Sequence, residues 1–440
     1  MLPVLSFFFV ACSPGTGADA PLLVDGTLVE SGGLNAWTLS WTTPEASDGF
    51  VRLVGADGET RDVPEFEPEA AGLEHRAVIF GLPAGTNWTA TALSTGSSRD
   101  YSTDAFDFET SPVPTGLPSV SVSQLPPEGL TGFVVLPLAT MEGVQFAILD
   151  LQGNYVWWRT DFAMACFRAE YDPATQVIST CSADNADGSH FTTESLVDGT
   201  GTTIVTPVGH HDFVALDDGS YLALGEERRQ VEGMTVVGDT VVHVPATGGD
   251  SDVVWNAWDS FEYDGIGVES PNGMSWPHLN SLEYDEASGK LLLGAYSRDS
   301  ILQVDRATGD IDWELGGEHD DFGLEGSERF VHPHSPRRVG NELTLIDAGE
   351  TDGSARVLSL DIDESAWSAT VAVSVEGGAV GGSSILGNAE HVDGRRFFVA
   401  WGSAGTAVIM ERDGTVLWQA DNELGVALGY GQYVPSLLPE

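Results

Sequence analysis

From about residue 125 to its end, the chain repeats one pattern, in which short β-strand-like runs are separated by tight turns. Runs of Val, Ile, Leu, Thr, Phe and Trp alternate with polar residues and stop at Gly, Asp, Asn or Pro, and helical periodicity is almost absent. Five segments share a strand, a turn, a second strand and often a closing Trp, and they lie at residues 147–158, 212–255, 280–313, 336–360 and 388–418. Each segment holds roughly four strands over about 40 to 55 residues, which is the period of a β-propeller blade.

A single blade cannot bury both of its faces, so several blades must close into a ring. Residues 163–206 would add a further blade to the five segments, and the recurring Asp-Gly and Thr-Gly pairs suit hairpin turns. The sequence therefore predicts an all-β fold with a six-bladed β-propeller over residues 125–440. Five or seven blades are the alternatives.

The strand-like runs of residues 21–112 precede the repeats. Within them, the Leu-Pro-Ala-Gly turn of residues 82–85 leads to Trp88. This resembles the turn-plus-aromatic signature of fibronectin type III domains, where Tyr is usual. We predict an N-terminal β-sandwich over 21–112 and a linker over 113–124. The expected role of the sandwich is that of a spacer or an edge cover, and ligand binding is the alternative.

The N-terminus reads as an export signal. Residues 4–11 are apolar apart from Ser6, and this run is too short to span a bilayer. Small Ala11 before Cys12 resembles the cleavage box of bacterial lipoproteins, although Phe9 replaces the usual Leu and no Lys or Arg precedes the run. We predict a lipoprotein signal peptide and tether over 1–20, lipidation of Cys12, and a place in the bacterial cell envelope, either periplasmic or on the outer membrane. Plain secretion and a buried apolar segment are the alternatives.

The charge of the chain excludes several classes of partner. Its 18 basic and 67 acidic residues give a formal net charge of −49. Such a surface repels nucleic acid and anionic membranes, so we expect neither as a partner, and any membrane contact would pass through the lipid anchor. An anion site in this protein must gather its few positive groups locally.

The chain has two cysteines besides Cys12, and these are Cys166 and Cys181. A hairpin that turns on Pro173 and Ala174 would place them directly opposite each other. In an oxidising compartment this spacing predicts a disulfide, with two free buried thiols as the alternative.

Histidines recur at the same place in successive repeats. His210 and His211, His278, and His332 and His334 fall just before or at the first strand of a repeat. Equivalent positions in a propeller surround its axis, so these side chains are predicted to meet at one mouth of the channel. The alternative is a set of separate polar positions, each bonded to a neighbouring blade.

Arg298 follows the second strand of one repeat. Beside converging histidines, its guanidinium would form an oxyanion pocket, because the planar fork suits a tetrahedral anion. The alternative is a surface arginine paired with Asp299 or Asp305.

Several stretches resemble the arylsulfotransferase family. The most recognisable runs from Trp276-Pro277-His278 through Asn280 and Arg298 to residues 313–317, and it reads Trp-Glu-Leu-Gly-Gly at its end. The segments of residues 210–219, 330–347 and 433–437 resemble three further parts of the family pattern. Around His334 the chain reads Pro-His-Ser, where the family usually has Gln-His-Asp.

This resemblance implies sulfuryl transfer from an aryl sulfate to a phenol by a two-step exchange, without a nucleotide donor or another cofactor. It implies that His334 is the nucleophile, that His211, His278 and Arg298 bind the sulfate oxygens, and that no metal is required. Asn280, His332 and Asn388 are the further substrate-binding candidates: Asn280 lies in the shared stretch, His332 neighbours the nucleophile, and Asn388 holds the matching place in the last repeat.

Two other functions compete with this one. A non-catalytic envelope lipoprotein could use the propeller to bind a carbohydrate or a protein, or the histidines could bind a metal.

Overall fold

The structure is a computed structural model, and it describes residues 20–439 except 67–72, 142, 164–165, 185–187, 207–208, 271, 351–354, 379–384 and 424. The predicted signal peptide and Cys12 lie outside the described residues. Within the described residues, no helix has the length and apolar character needed to cross a bilayer.

Two compact units make up the chain. The first consists of the described residues within 1–31, 36–79 and 85–111, and the second of those within 32–35, 80–84 and 112–440.

Among its described residues, the first unit holds nine strands in two sheets. In chain order they are β1 (Leu22–Leu23), β2 (Gly26–Glu30), β3 (Trp37–Thr42), β4 (Ser47–Gly55), β5 (Thr60–Pro64), β6 (Glu74–Ile79), β7 (Asn87–Gly96), β8 (Asp100–Ser102) and β9 (Phe106–Glu109). One sheet has the order β2-β3-β6, and the other has the order β1-β8-β7-β4-β5 with β9 also on β7. Inward residues such as Leu39, Trp41 and Val51 alternate with exposed ones, which is the pattern of a sheet that packs on one face.

The second unit holds six sheets among its described residues. Its strands are β10 (Val120–Gln124), β11 (Phe133–Thr140), β12 (Gly143–Asp150), β13 (Tyr155–Ala163), β14 (Ala169–Asp172), β15 (Val177–Asp184), β16 (Gly188–Ser195), β17 (Gly201–Thr206), β18 (His210–Ala215), β19 (Tyr221–Val231), β20 (Met234–Val244), β21 (Asp252–Asn256), β22 (Val268–Ser270), β23 (Gly273–Trp276), β24 (Leu279–Asp285), β25 (Lys290–Ala295), β26 (Ser300–Asp305), β27 (Ile311–Gly316), β28 (Pro333–Val339), β29 (Glu342–Asp347), β30 (Arg356–Asp363), β31 (Ser368–Glu376), β32 (Asn388–His391), β33 (Arg396–Trp401), β34 (Thr406–Glu411), β35 (Val416–Asn422), β36 (Ala427–Leu428) and β37 (Gln432–Val434). One short helix, α1 (Ala257–Ser260), and two 3-10 turns, Tyr296–Arg298 and Gly326–Glu328, connect them.

We number the six sheets in chain order. Sheet 1 contains β11–β13 with β36 and β37, sheet 2 contains β14–β17, sheet 3 contains β18–β23, sheet 4 contains β24–β27, sheet 5 contains β28–β31, and sheet 6 contains β32–β35 with β10. Nearly all paired strands are antiparallel and follow each other along the chain, because short turns connect them. The pair of β20 and β23 is a parallel exception.

The six sheets contact one another in sequence and close into a ring. Their innermost strands β11, β14, β18, β24, β28 and β32 touch the neighbouring sheet in turn. A hydrophobic cluster fills each space between consecutive sheets, including the space between sheets 6 and 1. Trp418 of sheet 6 is fully buried there, and its indole N–H donates to the carbonyl of Leu151 at 2.7 Å. The predicted all-β propeller class is confirmed, and the number of six blades stays a prediction.

Both ends of the second unit close the ring. At its N-terminal end, β10 pairs with β35, so residues 120–124 of the predicted linker are a strand of sheet 6. At its C-terminal end, β36 and β37 pair with β11 of sheet 1. This interlock joins the last sheet to the first, and it removes open edges at the seam.

Cys166 and Cys181 form a disulfide in the structure. The predicted register is nevertheless wrong, because β14 and β15 pair Ala169 with Thr180, which shifts the turn toward the C-terminus. Gln176 takes the left-handed conformation at the end of this longer turn. Cys166 therefore lies before β14 and is not the cross-strand partner of Cys181. Its backbone forms an isolated parallel β-bridge with His211 of sheet 3.

Candidate active site

The innermost strands of sheets 3, 4 and 5 share one irregularity at their start. Each strand slips in register against the next strand of its sheet, between His210 and Phe213, between Leu279 and Ser281, and between His334 and Arg337. Such a β-bulge inserts a residue and re-aims the side chains beside it. The same local device therefore acts on the histidines of three neighbouring sheets.

Histidines at these bulges adopt a costly backbone conformation. His211, His278 and His332 have φ values of 55°, 58° and 53°. The left-handed region costs a non-glycine residue about 1–2 kcal/mol, and it persists only where the surroundings enforce it. Backbone strain of this kind is concentrated at functional sites, so its repetition at three histidines indicates a functional site here.

The histidines at the start of these three innermost strands form one cluster, which also contains Tyr296. We call these residues the histidine cluster, and its members are His210, His211, His278, Tyr296, His332 and His334. Ring centroids are 5.0 Å apart for His210 and His211, 5.2 Å for His211 and His278, and 5.4 Å for His278 and Tyr296. Tyr296 then stacks on His332 at 4.4 Å and meets His334 edge-on at 5.5 Å.

His334 has a defined tautomer. Its side chain is buried, and its Nδ1 lies 3.0 Å from the carbonyl oxygen of His332. A carbonyl only accepts hydrogen bonds, so Nδ1 carries the proton and Nε2 carries the lone pair. Burial lowers the pKa of His334 to about 3, which keeps the ring neutral at ordinary pH.

His211 and His278 are neutral for the same reason. Burial, with the nearby histidines, lowers the pKa of His211 well below its usual value. Burial also lowers the pKa of His278, whose Nδ1 lies 2.9 Å from the hydroxyl of Ser275.

Arg298 contacts other partners than those predicted. Its guanidinium lies 3.3 Å from Glu314 and 3.7 Å from Asp264, and it stacks 4.0 Å from the ring centre of Phe261. Neither Asp299 nor Asp305 is its ion-pair partner, since Asp299 accepts from the backbone of His332 and Asp305 pairs with Lys290.

Among the described residues, the contacts of Arg298 join it to no histidine. Its side chain is 8% exposed and lines a pocket of about 820 Å³, together with residues such as Ser297 and Val331. The Nε–H of Arg298 has no acceptor in the described structure.

The comparisons with known proteins agree with the sequence pattern. The family model described as Arylsulfotransferase (ASST) matches residues 132–352, which is half of the chain. The chain belongs to the arylsulfotransferase family. Membership makes it an arylsulfotransferase-like transferase, and it supports sulfotransferase-type activity on aryl sulfates in general terms. A search of curated proteins finds no match.

Solved structures show distant likeness to this arylsulfotransferase-like chain. A nidogen–laminin complex has a TM-score of 0.43 at 11% identity, and the match covers 68% of this chain and 98% of that one. TolB from Acinetobacter baumannii has a TM-score of 0.41 at 10% identity over 81% of each chain. Regucalcin from Agrobacterium tumefaciens has a TM-score of 0.35 at 15% identity, with 58% and 75% covered.

In this family member, the side chains of the two predicted substrate-binding asparagines form hydrogen bonds with backbone groups. Asn280 is 1% exposed, and its amide donates to the carbonyl of Pro333 at 2.8 Å, one residue before His334. Asn388 exchanges two hydrogen bonds with the backbone of Gly431, at 2.7 and 2.8 Å. Asn280 therefore ties sheet 4 to the strand of His334, and Asn388 ties sheet 6 to the C-terminal segment.

A layer of buried charge lies along the same innermost strands. Asp212 is 0% exposed; it accepts from the backbone N–H groups of Phe213 and Leu282 and faces Arg168 at 3.4 Å. Burial raises the pKa of Glu283, and it raises the pKa of Glu390 to about 7. These groups tie the innermost strands together beside the bulges.

Sequence reasoning missed Tyr296 and Asp239. Tyr296 stands two residues before Arg298, within the stretch that resembles the arylsulfotransferase pattern, and its aromatic ring was the available signal. Asp239 lies within β20, where its side chain approaches His210. No local pattern marks it. The described residues contain no group of three or more His, Cys, Asp or Glu arranged to hold a metal ion.

We expect the buried neutral imidazole of His334 to make the second unit less stable in mild acid. In the unfolded chain each imidazole titrates near 6.5, whereas His334 stays neutral down to about 3 when folded. Between these pH values the unfolded state binds more protons, so the free energy of unfolding falls as the pH falls. Urea unfolding at pH 7 and pH 5 measures this dependence. His334→Gln should reduce the loss, and an unchanged loss in that variant would contradict the assignment.

Proposed function

We propose that this protein transfers a sulfuryl group from an aryl sulfate to a phenol through a sulfohistidine at His334. One observation carries the proposal: the buried imidazole of His334 donates its Nδ1 proton to a backbone carbonyl, which leaves Nε2 unprotonated, and the ring meets Tyr296 edge-on within the histidine cluster. A neutral imidazole with a free lone pair is a competent nucleophile, and it is a good leaving group when protonated.

The first half-reaction forms an N–S bond and breaks an S–O bond. Nε2 of His334 attacks the sulfur of the aryl sulfate, and the aryl oxygen leaves with the bonding electron pair. An N–H of the cluster or a solvent molecule supplies the proton that converts the phenolate into the phenol. In the second half-reaction the acceptor phenol gives its proton to the cluster nitrogen or solvent that supplied one before. Its oxygen attacks the same sulfur, the N–S bond breaks, and His334 is released neutral.

His211, His278 and Arg298 stabilise the transferring group. Sulfuryl transfer, like phosphoryl transfer, has a loose transition state with charge on the equatorial oxygens. Fixed N–H donors therefore supply most of the stabilisation. His211 and His278 offer such donors from sheets 3 and 4. For Arg298, the family resemblance implies sulfate binding, and the unpartnered Nε–H is the donor that can supply it.

His332 and Tyr296 suit the aryl part of the substrate. The side chain of His332 is 37% exposed and stacks on Tyr296 with an interplanar angle of 14°. An aryl ring gains about 0.5–1.5 kcal/mol from a stacked or edge-on aromatic partner beyond its burial. We assign Asn280 a positioning role for His334 through Pro333, and Asn388 a structural one at Gly431.

A two-substrate assay tests the function. Purified protein with a chromogenic aryl sulfate and a phenol acceptor should release the chromophore and form the acceptor's sulfate ester. Mass spectrometry of an acid-free digest, after incubation with the donor alone, should find one sulfuryl group on His334. If the protein binds a carbohydrate or a protein partner but transfers no sulfuryl group, the non-catalytic alternative is correct.

We also propose export to the bacterial envelope with a lipid anchor at Cys12. The Cys166–Cys181 disulfide supports an oxidising compartment. Metabolic labelling with a palmitate analogue should mark the wild type and not Cys12→Ser, and label on both or neither would contradict the anchor.

A further inference from the structure

A chain of hydrogen-bonding groups lies behind His211. Nδ1 of His211 is 2.8 Å from Nδ1 of His210. On the other side of the His210 ring, Nε2 lies 3.2 Å from the carbonyl of Gly225 and 3.4 Å from Oδ1 of Asp239. Asp239 is 1% exposed and His210 is 15% exposed, so both groups are withdrawn from water. His210 and Asp239 have no place in the function proposed above.

The positions of the protons follow from the partners. Nε2 of His210 faces a carboxylate and a carbonyl, which are both acceptors, so Nε2 carries a hydrogen. Between the two Nδ1 atoms one hydrogen must be shared, because two lone pairs at 2.8 Å would repel each other. Either His210 or His211 donates it, and the two arrangements give His211 opposite chemistry.

The local charges decide between the two arrangements. If His210 donates, it is an imidazolium beside the buried carboxylate of Asp239, and the pair is neutral. If His211 donates, Asp239 stays buried without a cation, which is the costlier state. The pKa values point the same way: His210 is desolvated, yet Asp239 raises its pKa above the usual value, whereas burial and neighbouring histidines lower the pKa of His211.

We infer that Asp239 and His210 form a relay that fixes His211 with its proton on Nε2, so that His211 donates a hydrogen bond to a sulfuryl oxygen and does not act as a base. The inference rests on the proposed sulfuryl transfer for its meaning in catalysis. It identifies His210 and Asp239 as positioning residues of the site.

The carboxylate of Asp239 also accepts a hydrogen bond from sheet 4. Oδ2 of Asp239 accepts from the backbone N–H of Leu279, the residue after His278. One buried side chain on β20 thus fixes the ring of His210 on sheet 3 and the backbone next to His278 on sheet 4. The two donors assigned to the sulfuryl oxygens are held relative to each other through Asp239.

In the part of the chain that the structure describes, few other charged groups face His210. Glu226 on β19 acts on it at longer range, and it is engaged with Arg228 at 3.1 Å. His211 on β18 and His278 before β24 are neutral neighbours. Asp239 is therefore the group that holds the proton on His210, and Asp239→Asn should release that proton at lower pH.

Nitrogen NMR of the ¹⁵N-histidine-labelled full chain tests the relay without an activity measurement. In the wild type we expect His211 to show a protonated Nε2 and a bare Nδ1, while both nitrogens of His210 are protonated near neutral pH. The signals are assigned with His210→Asn and His211→Asn. A protonated Nδ1 on His211, or a neutral His210 at pH 7, would overturn the inference.

Kinetics then test the consequence for catalysis. His210→Gln lacks a donor at the Nδ1 position, and we expect it to lower kcat about 10²-fold with little change in KM, as for loss of one fixed donor. His210→Asn places an amide N–H near that position and should recover most of the rate. His243→Gln is the matched control, because His243 lies on β20 outside the cluster and bonds to Ser220.

Each combination of results has a distinct meaning. Equal rates in His210→Gln and the wild type would overturn the positioning role. If the wild type transfers no sulfuryl group while His211 shows the expected tautomer, the proposed function fails and the relay stands as a property of the cluster.

Discussion

His334→Ala is expected to lower the rate of sulfuryl transfer by about 10⁴-fold or more, which is the order of effect seen when a covalent nucleophile is removed. The variant loses the only nitrogen assigned to attack sulfur, while His211, His278 and Arg298 remain in place. Donor hydrolysis, acceptor sulfation and the sulfuryl label should all disappear together. The measurement is kcat/KM with a chromogenic donor, and thermal unfolding should show that the fold is retained.

His332→Ala separates the two histidines of this segment. The backbone carbonyl that holds His334 survives this change, so the nucleophile keeps its tautomer. Only the ring stacked on Tyr296 is lost, and a fall of about tenfold, mainly in KM, is the expected size. His391→Gln is a matched control on β32, where the imidazole lies 3.1 Å from Thr344. A sulfuryl group found on His332, or His334→Ala within tenfold of wild type, would reject the assignment of His334.

Asp212→Ala is expected to lower the free energy of unfolding of the second unit by about 3–5 kcal/mol. The side chain is 0% exposed, and its removal leaves two buried backbone N–H groups without their acceptor and Arg168 without one of its carboxylates. Arg168 keeps Glu170 at 3.5 Å, so part of its charge stays compensated. Asp212→Asn retains an acceptor oxygen and should cost less.

Glu364→Ala is the control for this experiment within the same unit. Glu364 pairs with Arg338 at 2.5 Å, but its side chain is 40% exposed. Exposed pairs contribute below about 1 kcal/mol, so this change should hardly move the urea midpoint. Equal effects of the two substitutions would show that the buried layer does not stabilise the ring as described.

Local features of the sequence were sufficient for the fold class. Strand alternation and turn residues are set by neighbours along the chain, so the repeats of the second unit could be read directly. The recurrence of His210–His211, His278 and His332–His334 at one place per repeat also predicted their convergence. The ring brings these residues together because equivalent positions of successive sheets face the same axis.

Features that depend on contacts between distant segments could not be read in this way. Arg298 was predicted beside the histidines, yet its guanidinium pairs with Glu314 and Asp264 and stacks on Phe261. The hairpin of Cys166 and Cys181 turns later than Pro173 suggested, because a left-handed Gln176 lengthens the turn. The closing strands β36 and β37 were part of no repeat, and they are defined only by their pairing with β11.

The sequence by itself determined the all-β repeat, the family and the set of histidines that share a position. The tertiary structure decided what each imidazole can do. Whether His334 presents a lone pair, and whether His211 presents an N–H, depends on an acceptor or donor within about 3 Å of the opposite nitrogen. Those partners are the carbonyl of the strained residue His332 and the ring of His210. The folded ring completes the second partner, because it brings Asp239 from another strand beside His210.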